Sequence, residues 1–501
     1  MAIRSRPDGG YFVTQNPDMK RRTFVGLTAV GLGTAAIGGA QPASAASTRR
    51  GSRGSGYGPL RPDPAGLLDL PSGFHYTVLA VAGNSGNPIP ATTLDDGGEL
   101  SPSRYDGTGS FPHHGGGWVL VSNHENGNGN PYPVTAEVPH RPGITYDEGS
   151  PKGGTTSITV DKHGHRVSEV VSLAGTWSSC AGGVSPWGTW LTCEESEQKA
   201  DPAQDVRKDH GYVFEVRPFE PTNPLNARPI KAFGRFPHEA VVVDPRWGHV
   251  YGTEDASNPN GLLYRWSPDG RAPHGYADLA DDAGTLDAMY ATNQGTFVPD
   301  LSVYSTPGTT LQVRWIEVPD RDARTTSTRK QFNYAGVTGA PGGDVTRSRK
   351  LEGMWWGDDG FYFDASFARG ASDGSAAEHD GQIWFYDPRR STITLKSYYP
   401  HTAGDQDSDP DGPDNITVNP YGGLVVCEDG EGANHLVLDD LRGHTAFLAL
   451  NRQDSEMAGA NFSSNGRFLF ANSQDPGVVF AITGPWKAKR HDDDHDERHN
   501  D

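Results

Sequence analysis

Five stretches of the chain repeat one pattern: WGTWLTCEE (187–195), WGHVYGTED (247–255), DGFYFDAS (359–366), YGGLVVCED (421–429) and NGRFLFANSQ (465–474). Each opens near a glycine, runs through an apolar strand and closes on a polar residue. Counted from Gly188, Gly248, Gly360, Gly422 and Gly466, the sixth following residue is Glu194, Glu254, Ser366, Glu428 and Asn472. The fifth is small each time. A looser copy, GGWVLVSNHEN (116–126), ends at Asn123-His124-Glu125. Another apolar run precedes each copy across a turn-rich segment, as in residues 240–243 before Asp244-Pro245-Arg246-Trp247-Gly248. Two antiparallel strands joined by a turn have their outer ends at one edge. This brings Glu239 near Glu254, Asp414 and Asn415 near Glu428, Cys180 near Cys193 and Glu194, Glu456 near Asn472, and Glu352 near Asp364 to Ser366.

Further strand-like runs follow the hairpins, at 211–218, 261–270, 381–388 and 477–486. A hairpin plus further strands, repeated about six times at uneven spacing, predicts an all-β, six-bladed β-propeller with insertions. The step from Gly248 to Gly360 is nearly twice that from Gly188 to Gly248, which marks an insertion at 270–347. A β-sandwich is the competing architecture, because strands alone do not fix closure. Composition agrees with a turn-rich β protein: the 501 residues include 64 Gly and 38 Pro, too many helix breakers for a coiled coil.

The ends of the chain differ from its middle. Residues 1–45 comprise a polar extension and a twin-arginine signal peptide. Lys20-Arg21-Arg22-Thr23-Phe24 is the basic segment, residues 25–40 a short Gly-rich apolar run, and Ala43-Ser44-Ala45 the cleavage site. Translation starts at Met1 or Met19. The apolar run is too short for a stable membrane span. Residues 46–64 form a flexible linker, 65–486 the propeller domain, and 487–501 a charged disordered tail. The protein is thus expected to leave the cytoplasm through the twin-arginine export machinery and to be secreted, as a monomer.

A net charge of −20 excludes nucleic acid as a partner, since phosphates demand clustered Lys and Arg. It disfavours a small anionic substrate too, unless bound cations reverse the local charge. If the sheets are radial, Glu125, Glu194, Glu239, Glu254, Glu352, Asp414, Glu428 and Glu456 crowd one mouth of the channel. Their repulsion is worth several kcal/mol unless neutralised, and a cation cluster is the remedy. Carboxylate and amide oxygens suit Ca²⁺, Mg²⁺ or a trivalent ion, while Cys193 adds a soft thiolate that favours a transition metal. A structural calcium ion in the channel, with Cys180 and Cys193 joined as a disulfide, is the non-catalytic alternative. No P-loop or H-E-x-x-H sequence competes.

Several blocks together resemble the PhoX-type secreted alkaline phosphatases. They are SLAGTWSSCAGGVSPWGTWLTCEES (172–196), GRFPHEAVVVDP (234–245), LEGMWWGDDGFYF (351–363), PDNITVNPYGGLVVCEDG (413–430) and EMAGANFSSNGRFLFANSQDPG (456–477). LPSGFHYTVL (70–79), LVSNHEN (120–126) and the leader fit as well. The resemblance implies a six-bladed propeller that hydrolyses phosphomonoesters at a ferric iron (Fe³⁺) and calcium (Ca²⁺) cluster. It implies Cys193 as the thiolate on iron. Glu125, Glu194, Glu254, Glu352, Asp414 and Glu428 would be carboxylate ligands, with Asn415, Glu239 and Asp429 as further candidates. Many members carry Arg two residues before the position of Glu352, as a phosphate clamp; here it is Lys350, a point charge in place of a bidentate fork. The alternative is a calcium-stabilised propeller acting as a binding module or as a hydrolase of another ester class, such as a lactonase.

Overall fold

The computed structural model describes residues 56–83, 88–127, 136–367, 381–400, 409–430, 432–475 and 477–487. The expected signal peptide and all of the expected tail but Lys487 lie outside them. Among the described residues the regular structure is strand, interrupted by single turns of 3-10 helix.

The repeated sequence pattern is a repeated hairpin. Its first strands are Tyr105–Pro112, Ser179–Val184, His238–Val243, Leu351–Gly357, Pro413–Val418 and Met457–Phe462. Each pairs antiparallel with the strand that follows it across a tight turn. Gly188, Gly248 and Gly466 in those turns have φ of 85°, 69° and 71°, a conformation that penalises any residue with a Cβ. The six first strands follow one another in a closed ring, each packed on the next and the last on the first. They are buried almost throughout, because the first strands of the two neighbouring hairpins pack against each one and exclude water.

Six separate blades are not what the hydrogen bonding shows. The strands form five sheets: two of four strands, one of three, one of six and one of ten. The ten-stranded sheet arises because Thr310–Glu317, from the stretch expected as an insertion, pairs with Thr285–Asn293 on one side and Thr392–Tyr399 on the other. An added strand thus stitches two hairpin units into one sheet. The fold is all-β and propeller-like, with four smaller sheets and one large one.

The chain closes on itself at its ends. His75–Val81 pairs with Val478–Thr483, so the first long strand completes the last sheet. Part of the expected linker is ordered: Leu60–Arg61 pairs with Leu68–Pro71, which joins Thr445–Asn451. Tyr57 anchors this edge, with its ring centroid 4.6 Å from that of Phe74 and 6.0 Å from that of Trp486. Between sheets the core is aromatic, with Trp190, Trp266 and Trp384 wholly buried. Each such side chain contributes roughly 2–3 kcal/mol of hydrophobic stabilisation. No helix among the described residues is long and apolar enough to cross a membrane.

Candidate metal centre

Every one of the six hairpins breaks register at the start of its first strand, between Tyr105 and Thr108, Ser179 and Gly182, His238 and Val241, Leu351 and Met354, Pro413 and Asn415, and Ala458 and Asn461. Such bulges bend a strand and re-aim the unpaired side chain. The residue after the last one paired before the break is Asp106, Cys180, Glu239, Glu352, Asp414 and Gly459 in turn. Four of the bulges are led by a residue with left-handed backbone: Arg104 (φ 57°), Ser178 (46°), Lys350 (45°) and Gly412 (45°). Holding a non-glycine residue there costs about 1 kcal/mol or more, a strain typical of functional sites.

Glu239, Glu352 and Asp414 offer carboxylate oxygens that all lie within 4.8 Å of one another. At that separation two like charges repel by roughly 3 kcal/mol even at an effective dielectric of about 20. That repulsion favours the protonated forms of the acids. Burial, then Glu352, Glu195 and Asp106, pushes Glu239 well above the usual carboxylate range. Burial, then Glu352, Glu239, Glu456 and Asp106, does the same to Asp414. Glu352 is pushed up to about 7 by burial and by Asp255, against the pull of Lys350. Asp106 is also pushed to about 7, by burial and by Glu125. Glu195 and Glu456 rise strongly for the same reasons, burial first, then Asp255 for Glu195 and Asp429 for Glu456. Nine carboxyl groups thus share one electrostatic environment: Asp106, Glu125, Glu195, Glu239, Asp255, Glu352, Asp414, Asp429 and Glu456.

Two cations stand among them. Lys350 Nζ lies 3.0 Å from Asp255 Oδ2 and 3.1 Å from Glu352 Oε1. Burial works against its charge, but Asp255, Glu352, Asp429 and Glu195 hold its ammonium well above the ordinary lysine range. Its side chain keeps 37% exposure, so it reaches solvent while Glu352 does not. Arg104 pairs with Glu125, and Gln474 Nε2 donates to both Asp106 Oδ2 and Glu125 Oε2 at 3.0 Å. Ser366 Oγ donates to Glu352 Oε1 at 2.7 Å, and Thr253 Oγ1 to the Glu352 carbonyl at 2.6 Å.

Of the residues singled out in the sequence, the structure brings together Glu125, Glu239, Glu352, Asp414, Asp429, Glu456 and Lys350. It commits Glu194, Glu254 and Glu428 elsewhere. Glu194 accepts from His210 Nδ1 at 2.6 Å, Glu254 from Arg329 Nη1 at 3.0 Å, and Glu428 from His435 Nδ1 at 2.8 Å. Burial pushes Glu254 up to about 7 against the pull of Arg329. The reason is alternation: neighbours in a strand face opposite ways. The residue that meets the ring is the next one, Glu195, Asp255 or Asp429. Asn415 uses its Oδ1 to accept the Gly459 N–H at 2.8 Å, a stitch between adjacent hairpins.

Cys193 and Cys180 both border the apolar core with Leu191, Val213 and Phe236, and the Cys193 thiol is pushed up by burial and by Glu239. Cys180 is the cysteine on a bulge. Its Sγ is 3.3 Å from the His238 carbonyl and 3.6 Å from that of Glu239, and after burial its thiol responds to Glu239 and Glu195. No disulfide joins them; Cys180, Cys193 and Cys427 are free and buried. His124 and His238 are buried too and are pushed down by that burial, to about 4 and about 3. Sequence reasoning missed Asp106, Glu195, Asp255 and Arg104. The consecutive acids in CEE, TED and CED carried a signal for two of them, whereas Asp106-Gly107 reads as a turn.

A donor set this rich in oxygen fits hard cations, with one thiol for a transition metal. Asp106 Oδ1 is buried without a hydrogen-bond partner among the described residues, which a bound cation would satisfy.

The family model described as "Alkaline phosphatase PhoX" matches residues 55–172 and 162–477. No curated protein matches the chain. Among solved structures, the gluconolactonase XC5397 of Xanthomonas campestris is 12% identical at a TM-score of 0.33, over 77% of this chain and 98% of that one. The PQQ domain of pyranose dehydrogenase from Coprinopsis cinerea is 11% identical at 0.35, over 84% and 98%. The Cps50 (Swd1) β-propeller domain of Myceliophteria thermophila is 9% identical at 0.38, over 82% and 100%. Scores this low carry no functional information.

Proposed function

Since the chain belongs to the PhoX alkaline phosphatase family, we propose that it is a secreted, metal-dependent hydrolase of phosphomonoesters, exported by the twin-arginine route and working at the ring of acids. The observation that carries this reading is the convergence of Glu239, Glu352 and Asp414 within 4.8 Å. Buried carboxylates that close destabilise the fold unless a cation joins them.

Glu239, Glu352 and Asp414 would hold the cations, ferric iron and calcium, with Asp106, Glu195, Asp255, Asp429 and Glu456 around them and Cys180 as the thiol ligand in place of Cys193. When bound, such ions supply positive charge to phosphoryl oxygens and favour the ionised form of water. The chain's own residues do the rest. Lys350, its side chain 37% exposed and pinned between Asp255 and Glu352, offers one positive charge to the incoming phosphate. Ser366 and Thr253 fix the side chain and backbone of Glu352. Arg104 and Gln474 orient Glu125 and Asp106.

Phosphate release from p-nitrophenyl phosphate by folded protein tests the reading. Glu352→Gln and Cys180→Ser are each expected to abolish turnover, and full activity in both would overturn it. Inertness of the wild-type protein with phosphate esters, alongside hydrolysis of lactones, would favour the other ester class.

A further inference from the structure

We propose that Glu194, Glu254 and Glu428 are positioning residues, whose buried hydrogen bonds hold each hairpin end so that the next side chain points into the ring. This rests on the reading of that ring as a cation site.

Each of the three is buried, and each directly precedes a ring acid: Glu195, Asp255 and Asp429. Each ties the hairpin end to the strand that follows. Glu194 Oε2 accepts from the N–H of Gly211 at 2.8 Å and of Tyr212 at 3.1 Å, while Oε1 takes His210 Nδ1 at 2.6 Å. Glu254 Oε2 accepts from the Leu262 N–H at 3.2 Å and from the Tyr264 hydroxyl at 2.8 Å, while Oε1 takes Arg329 Nη1 at 3.0 Å. Glu428 Oε2 accepts both the N–H and Nδ1 of His435 at 2.8 Å, and its Oε1 the Asp411 N–H at 3.3 Å.

In all three units the partners include residues at the start of the next strand, so the same anchor recurs at the same place in the repeat. The other hairpins supply the control. Ser366 is followed by Phe367, and Asn472 by Ser473; neither next residue is an acid, and neither position carries a glutamate. In the sixth hairpin the ring acid Glu125 follows His124, whose ring nitrogens lie 2.9 Å from the Ser103 carbonyl and 3.0 Å from Thr156 Oγ1, a different side chain anchored at the same place. Glutamate stands at that place only where an acid follows and must be held against the repulsion of its neighbours. An unanchored hairpin end would let like charges push Glu195, Asp255 or Asp429 outward, and the ring would lose a donor.

Arg329 gives the sharpest test because, beyond Glu254, its ion pair is with Glu197 at 2.9 Å, outside the ring. Chelator-treated full-length protein is titrated with calcium alone in a calorimeter. Arg329→Met is expected to weaken calcium binding by about tenfold or more, as loss of a group that orients metal ligands does. Arg329→Lys is expected to restore most of it. Ile393→Ala, a buried substitution in the ten-stranded sheet, is expected to lower the melting temperature and to leave calcium binding unchanged. Calcium affinity equal in Arg329→Met and wild type overturns the inference alone. A wild-type chain that binds no calcium overturns it together with the reading on which it rests.

Discussion

Lys350 Nζ stands 3.1 Å from Glu352 Oε1, with the lysine backbone in the left-handed region and the glutamate on the bulge two residues later. Both departures from regular strand geometry aim the pair into one space. Its side chain is 37% exposed against 8% for Arg104, so on the proposed function it is the cation among these acids that a phosphate would meet first.

Lys350→Met is therefore expected to lower kcat/KM by roughly 100-fold, the loss typical of removing one donor to developing charge. Lys350→Arg keeps the charge and adds a fork that matches two phosphoryl oxygens, so its KM is expected to fall below the wild-type value. Steady-state kinetics on p-nitrophenyl phosphate checks both. Equal kinetics in Lys350→Met and wild type would remove the lysine from substrate binding.

The metal-free protein should lose stability as pH rises. Glu352 and Asp106 hold their protons in the folded state up to about 7, because burial and neighbouring acids disfavour the charge. In the unfolded chain they release them near 4. Protons bound preferentially by the folded form stabilise it, so their contribution is intact below about pH 4 and is lost as pH climbs through 7. For Glu352 alone this amounts to about 3 kcal/mol between those limits. Thermal unfolding of chelator-treated protein is expected at a higher temperature at pH 5 than at pH 8, with added calcium cancelling the difference. A melting temperature indifferent to pH would mean that the acids do not repel.

Neutralising one member of the trio should separate stability from metal binding. Glu239→Gln or Asp414→Asn removes a like charge within 4.8 Å of two others. The metal-free variants are expected to be more stable than wild type by roughly 1–3 kcal/mol, with less metal bound. Denaturant titration and elemental analysis read the two effects. A destabilised metal-free variant would show that the carboxylates support the fold instead of straining it.

How much of this was legible in the sequence divides at the bulge. The six hairpins and the approach of their outer ends follow from glycine spacing and apolar runs, and the pairing of His238 with Glu254 and of Pro413 with Glu428 lies within one residue of the expected meetings. That single residue decides the site. Strand alternation turns Glu194, Glu254 and Glu428 away from the ring and their successors into it. Bulges at Asp106 and Cys180 have no signature in residue type, since they are set by how each hairpin packs on the next. The ten-stranded sheet was hidden for a similar reason: which edge Thr310–Glu317 would join depends on two sheets brought together by the whole fold.

Gly459 is the one bulge position without a side chain. A Cβ there would lie 2.4 Å from the Asp106 carbonyl and 2.5 Å from Asn472 Nδ2, and φ is +61°. Gly459→Ala is expected to cost roughly 3 kcal/mol or more, since neither backbone nor the hydrogen-bonded amide can give way. Urea unfolding measures it; a cost below about 0.5 kcal/mol would show that the ring is looser at this point than its packing implies.

The most direct measurement is the metal content of the full-length protein purified without added metal, followed by phosphatase assay before and after chelation. Iron and calcium bound together, with activity lost on their removal and regained on their return, is the predicted result. Protein that holds neither ion, or that cleaves phosphomonoesters equally well once stripped, would contradict it.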